Sequence, residues 1–198
     1  MSGHVSRYFE GTPETKSELV TSPRGTSLVI RPPVERDAAA MWRLAENSGV
    51  LDTNSYYAYF LLCRFFDNTC AVAELQGEIV GFASAFVLPQ AANTLFLWQV
   101  AVADAVKRRG VAFTLTLDIL RRCPPQVDTL EATISEKNTA SLSLFSSLAR
   151  KMGASVKRVE DFITPQMFPE EIKHHDPEIL FRIGPVEDLD KKIQESSL

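Results

Sequence analysis

The chain has 198 residues, 45% hydrophobic and 23% charged, which fits one globular domain with a sizeable core and excludes a disordered chain. A net charge of -4 argues against nucleic acid or an anionic membrane as the main partner. Cys63, Cys70 and Cys123 show no paired or zinc-type spacing, so reduced thiols in a cytoplasmic protein are expected.

Residues 1–25 are rich in Ser, Thr, Gly, Glu and Pro and read as a flexible leader without the apolar core of a signal peptide. Thr26–Arg31 reads as a strand that Pro32-Pro33 ends. Val34, Ala38, Met41, Trp42 and Ala45 then fall on one helical face, which stops near Ser48-Gly49. After the polar run Leu51-Asp52-Thr53-Asn54, Ser55 is placed to cap an aromatic-rich helix reaching Phe66.

Cys70–Leu75 and Glu78–Val87 read as strands joined by a tight Gln76-Gly77 turn. Thr94–Ala103 is almost wholly apolar, which predicts a central strand covered on both faces. A basic turn, Lys107–Ala112, opens a helix to about Arg122 that Pro124-Pro125 breaks. A strand over Val127–Ser135, a helix over Asn138–Met152 and strands over Val156–Ile163 and Ile179–Ile183 complete the pattern. The tail, residues 185–198, is either loose or a short helix that needs a partner. The expected architecture is α/β: a mixed, mostly antiparallel central sheet flanked by helices over residues 26–184.

The sharpest local signal is the buried strand followed by Lys107-Arg108-Arg109-Gly110-Val111-Ala112 and a helix. A helix start presents unpaired N–H groups and the positive end of the dipole. Gly110 lacks a Cβ, and the basic side chains add charge, so the turn suits a pyrophosphate. By itself such a turn is equally an ordinary basic loop with a helix cap.

The run Val100-Ala101-Val102, the basic turn with Gly110 and Ala112, and the segment Asn138-Thr139-Ala140-Ser141 with Phe145 together resemble the GCN5-related N-acetyltransferase superfamily. Lys107 departs mildly from that pattern, which carries Gln or Arg at this position. Within the superfamily, Asp52-Thr53-Asn54-Ser55 with the tyrosines that follow, Thr94–Val102, Glu131-Ala132-Thr133 and Leu180–Pro185 resemble the L-2,4-diaminobutyrate acetyltransferases.

The resemblance implies acetyl-CoA as co-substrate, held by Val100, Val102, Lys107, Arg108, Arg109, Gly110, Val111, Ala112 and Asn138. It implies L-2,4-diaminobutyrate as acceptor, ectoine synthesis as the pathway and a homodimer as the assembly. Asp52, Asn54, Ser55, Trp98 and Glu131 are the expected acceptor contacts. Asn138 and Ser55 also read as helix caps, Trp98 as core, and Glu131 as a solvated strand-end charge. His175 and Glu178 are implied to close the pocket. The adjacent histidines His174-His175 point different ways and lack a third ligand, so no metal site is expected.

A side-chain amine with a pKa near ~10 needs about 4 kcal/mol to lose its proton at neutral pH. Glu131 is the expected base. The backbone N–H at Val100 is the expected polariser of the thioester carbonyl. The superfamily's usual Tyr acid is replaced by Phe145, which cannot donate, so Tyr57, beside Tyr56 and Tyr59, is the candidate donor. No cysteine motif suggests an acyl-enzyme, so direct transfer in a ternary complex is expected. Two readings stand beside this one: acetylation of another amine, such as a polyamine, aminoglycoside or protein terminus, and a non-catalytic acetyl-CoA-binding module.

Overall fold

The computed structural model describes residues 18–21, 27–172 and 176–194. The strands are β1 (Glu18–Thr21), β2 (Ser27–Arg31), β3 (Cys70–Leu75), β4 (Glu78–Leu88), β5 (Ala91–Val102), β6 (Thr129–Ser135), β7 (Val156–Ile163) and β8 (Glu178–Ile183). The helices are α1 (Ala38–Ser48), α2 (Tyr56–Phe65), α3 (Val111–Arg122), α4 (Thr139–Met152) and α5 (Leu189–Gln194). The strands form one sheet in the order β1-β2-β3-β4-β5-β6-β8-β7. Its neighbours pair antiparallel except β5 and β6, which run parallel. This is the mixed, mostly antiparallel sheet that the sequence predicts.

Each face of the sheet has its own core. Met41 and Ala45 of α1 and Tyr59, Leu62 and Cys63 of α2 pack on Val72, Phe82 and Ala101. Leu115 and Ile119 of α3 and Phe145, Leu148 and Met152 of α4 pack in the other cluster with Leu95, Leu130 and Ile183. Gln76 and Gly77 both have positive φ, +54° and +85°. That is the backbone of the tight hairpin turn expected between β3 and β4.

Three expectations need correction, and one left open is decided. Val34 is not on the buried helical face: it is 44% exposed, and α1 begins only at Ala38. Asp37 explains this, since it accepts from the Val34 N–H at 2.8 Å and from Arg31 Nη1 at 2.6 Å, fixing a short 3-10 turn first. Within the expected leader, Glu18–Thr21 pairs with β2, with Glu18 opposite Ile30; residues 1–17 and 22–26 lie outside the described residues. The tail takes the helical alternative, because α5 buries Leu189 and Ile193 in the cluster of α3 and α4. Finally, β5 is central but not covered throughout, since Trp98 is 40% exposed.

Candidate active site

The cavity follows from how β5 and β6 separate. They pair only through Thr94–Phe96 and Thr129–Glu131. Beyond these, β5 continues beside β4 and β6 beside β8, so the two strands part. A cavity of about 620 Å³ fills the gap. Leu97, Trp98, Gln99 and Val100 form one wall, and Ala132, Thr133, Ile134 and Ser135 the other. The Gly49–Asn54 loop, Lys137, Asn138, Ser141, Leu144, Phe145, Asp176 and Glu178 complete the lining. The size is that of a small-molecule site, ~300–1,000 Å³.

The backbone of β5 is what the gap exposes. The Ala103 N–H donates to Val80 O at 2.8 Å. In an antiparallel ladder such pairs alternate, so the N–H groups of Ala101 and Gln99 also face β4. Those of Val100 and Val102 therefore point away from β4, toward the side where β6 has diverged. Between Ser84/Gln99 and Ala85/Leu97 the register shifts by one, leaving Trp98 with no opposite residue. The bulge turns Trp98 into the cavity wall, edge-on to Phe86 at 6.4 Å.

At the end of β5, the chain turns through Arg108 and Gly110, with φ of +59° and +79°, into α3. The Thr114 N–H donates to Gly110 O at 2.9 Å, so the amides of Val111, Ala112 and Phe113 precede the first helical bond. Nothing lies within 4 Å of a Cβ placed on Gly110, and Arg108 and Arg109 are exposed beside it. The Lys107 ammonium donates to Asp104 Oδ1 at 2.6 Å, which holds the Asp104 carboxyl below its usual range. Asn138 lines the cavity and caps α4, accepting from the Ser141 N–H at 3.1 Å.

The expected acceptor residues divide. Asp52, Asn54 and Trp98 line the cavity together. Ser55 does not; its hydroxyl accepts from the Ala58 N–H at 3.3 Å and only caps α2. Glu131 is neither solvated nor on the cavity wall, because it is 4% exposed and accepts from Arg182 Nε of β8. With that oxygen taken by the guanidinium and no place in the cavity lining, Glu131 has no direct path to an ammonium bound there. Tyr57 is 64% exposed and stacks on Phe60, away from the lining. Phe145 is buried against Phe181, with ring centroids 6.3 Å apart. Glu178 lies at the cavity, whereas His174 and His175 fall outside the described residues. Among the described residues, no group of three His, Cys, Asp or Glu side chains is arranged to hold a metal ion.

Sequence reasoning missed Gln99, Lys137 and the hydroxyls of Thr133, Ser135 and Ser141 as members of the site. A signal existed for the first: Gln99 is the one strongly polar side chain in TLFLWQVAVA, and a buried amide needs partners.

Known proteins share this arrangement. The model of the acetyltransferase (GNAT) family matches residues 36–149. An L-2,4-diaminobutyric acid acetyltransferase of Nocardia farcinica is 44% identical over 163 residues, 82% of each chain. One from Streptomyces avermitilis is 42% identical over 176 residues, covering 87% of this chain and 96% of its own. The diaminobutyrate acetyltransferase of Paenibacillus lautus, solved with L-2,4-diaminobutyric acid and coenzyme A, superposes with a TM-score of 0.76. It is 40% identical and covers 81% of this chain and 96% of its own. The chain belongs to the GNAT family, among its L-2,4-diaminobutyric acid acetyltransferases.

Some acyltransferases use a cysteine relay, which an acetyltransferase with these thiols is poorly built to run. Burial pushes Cys63, Cys70 and Cys123 each up to about 12, so they stay protonated at neutral pH. A thiol that does not ionise is not a nucleophile. Incubated with acetyl-CoA and no acceptor, the intact enzyme should show no added acetyl mass; a stable adduct on a cysteine peptide would contradict direct transfer. Among the described residues, no helix is long and apolar enough to cross a membrane.

Proposed function

We propose that the cavity is where this diaminobutyrate acetyltransferase transfers acetyl from acetyl-CoA to the 4-amino group of L-2,4-diaminobutyrate, giving N4-acetyl-L-2,4-diaminobutyrate for ectoine synthesis. The carrying observation is one cavity that joins the outward amides of β5 to a wall of opposite charge to the acceptor. Three carboxylates, Asp52, Asp176 and Glu178, face it against one lysine, Lys137, which is bridged to Asp176 at 2.7 Å. Diaminobutyrate carries two ammonium groups and one carboxylate, so the charges are complementary.

Acetyl-CoA supplies the acetyl group already activated as a thioester. The residues present suit it. Gly110, Val111 and Ala112 offer open backbone amides at a helix start for the pyrophosphate, and Arg108 and Arg109 add charge. Asn138 and Val102 flank the path from there into the cavity, and the Val100 N–H is aimed where a carbonyl oxygen gains charge. Asp52 and Asn54 hold the far end of the acceptor, and Trp98 walls it. Glu178 takes the pocket-closing place. With Glu131 tied to Arg182, the proton from the ammonium leaves through the wall carboxylates and their water. With no hydroxyl at Phe145, the cavity-lining hydroxyls of Thr133, Ser135 and Ser141 are the candidates to serve the leaving thiolate. The same reading includes a homodimer, supported by exposed Val159 and Phe162 on the edge strand β7.

Acceptor length tests the substrate. Ornithine adds one methylene and lysine two, each moving the reactive nitrogen by about 1 Å or more, which can cost on the order of 100-fold. Release of free thiol should be fastest with diaminobutyrate and fall in the order ornithine, lysine. A preference for lysine or spermidine would overturn the assignment of the acceptor.

A further inference from the structure

We infer that Gln99 and Tyr59 form a buried strut that sets the distance between the acceptor loop and the reacting carbonyl, making Gln99 a positioning and specificity-determining residue. The inference rests on the acceptor site proposed at Asp52. Gln99 is 4% exposed and Tyr59 is wholly buried. Gln99 Nε2 donates to the backbone carbonyl of Asp52 at 2.9 Å, across 47 residues of sequence. Its Oε1 accepts from the Tyr59 hydroxyl at 3.1 Å. Tyr59 is held edge-on to Phe82, with ring centroids 6.0 Å apart.

The two bonds fix the amide. A carboxamide with its oxygen satisfied by Tyr59 can present only its N–H₂ to Asp52. Ser84, opposite Gln99 in the ladder, has a buried hydroxyl with no hydrogen-bond partner. The amide therefore passes over its register neighbour and reaches the loop instead. Of three consecutive residues, Trp98 is the cavity wall, Gln99 is the strut and Val100 carries the outward N–H. One side chain thus links the loop that holds the acceptor to the strand that polarises the carbonyl, with no flexible joint between. Other bonds of the loop are local, from the Leu51 N–H to Ser48 Oγ at 3.1 Å and from Asn54 Nδ2 to the same Asp52 carbonyl at 3.4 Å, whereas the Gln99 bond ties the loop to the sheet. The length of Gln99 is, on this reading, part of the acceptor ruler.

The test compares acceptors of different length in wild type, Gln99→Met and Tyr59→Phe. Gln99→Met keeps the volume and removes both bonds. It should lower kcat/KM for diaminobutyrate by about 10- to 100-fold, the range expected when a reacting group is released from alignment. The ornithine value should fall less, so the diaminobutyrate-to-ornithine ratio shrinks by about 10-fold. KM for acetyl-CoA should stay within about 2-fold. Tyr59→Phe removes one oxygen from a packed ring and should shrink the same ratio by about 3-fold, the worth of one hydrogen bond. An unchanged ratio in a folded Gln99→Met enzyme, or acetyl-CoA KM rising in step with acceptor KM, overturns the strut. If Gln99→Met does not fold, Tyr59→Phe decides, and an unchanged ratio there overturns it equally. A wild type indifferent to acceptor length would instead defeat the acceptor assignment itself, and the strut with it.

Discussion

Gly110→Asp should weaken CoA binding by at least about 100-fold in calorimetry while leaving the circular dichroism spectrum unchanged. The substitution sets a carboxylate beside the start of α3, where the amides of Val111, Ala112 and Phe113 are open. Two like charges ~4 Å apart near a protein surface repel by about 4 kcal/mol, close to three orders of magnitude in affinity. Folding is largely spared. The φ of +79° costs an L-residue about 1–2 kcal/mol. Asp, however, tolerates that region better than most and is a favoured N-cap. The space beside Gly110 is empty to 4 Å, so no packing is displaced. Gly110→Ala carries the backbone strain without the charge and should lose far less affinity. Equal affinity in wild type and Gly110→Asp would place the pyrophosphate elsewhere.

Asp52→Asn should lower kcat/KM for diaminobutyrate by roughly 10- to 100-fold, the worth of a charge-assisted hydrogen bond of ~1.5–3 kcal/mol. The loop is tied to Gln99 through the backbone carbonyl of Asp52, which the substitution leaves in place. The substitution removes a carboxylate charge from a residue that lines the cavity. KM for acetyl-CoA should barely move, because the proposed pyrophosphate site at Gly110 lies at the far end of β5. A variant that turns over at the full rate would shift the ammonium contact to Asp176 or Glu178, not to Glu131, whose carboxylate is engaged by Arg182.

What the sequence revealed about this site depended on how local each signal was. Gly110 was legible because a glycine between a buried strand and a helix declares a positive φ within a few residues. Asn138 and Ser55 were legible as caps for the same reason, although for Ser55 the cap is the whole role. Glu131 was misjudged because its partner, Arg182, is 51 residues away, on a strand that returns to pair beside it. A strand-end carboxylate looks solvated until that strand is placed. The inward turn of Tyr59 was legible from its spacing with Leu62 and Cys63 on one helix face, and Tyr57, two residues away, turns outward. The delayed start of α1 was hidden because Asp37 answers Arg31 across two prolines that ordinarily separate elements. Of the sheet order, the apolar run of β5 made only its central place legible. The bulge that turns Trp98 outward left no mark in the pattern.

The short pairing of β5 with β6 has a consequence for solubility as well as for chemistry. Unpaired strand backbone is normally found at the rim of a sheet, where it invites other chains to add on and must be blunted by charge or proline. Here the exposed length of β5 lies inside the sheet, between two strands that are still joined at one end. A foreign strand entering there would have to thread past the Gly49–Asn54 loop and the Lys137–Asp176 bridge. A slender ligand arm meets no such obstacle. The unpaired backbone of β5 thus sits between elements of its own sheet, away from the rim where another chain would add on.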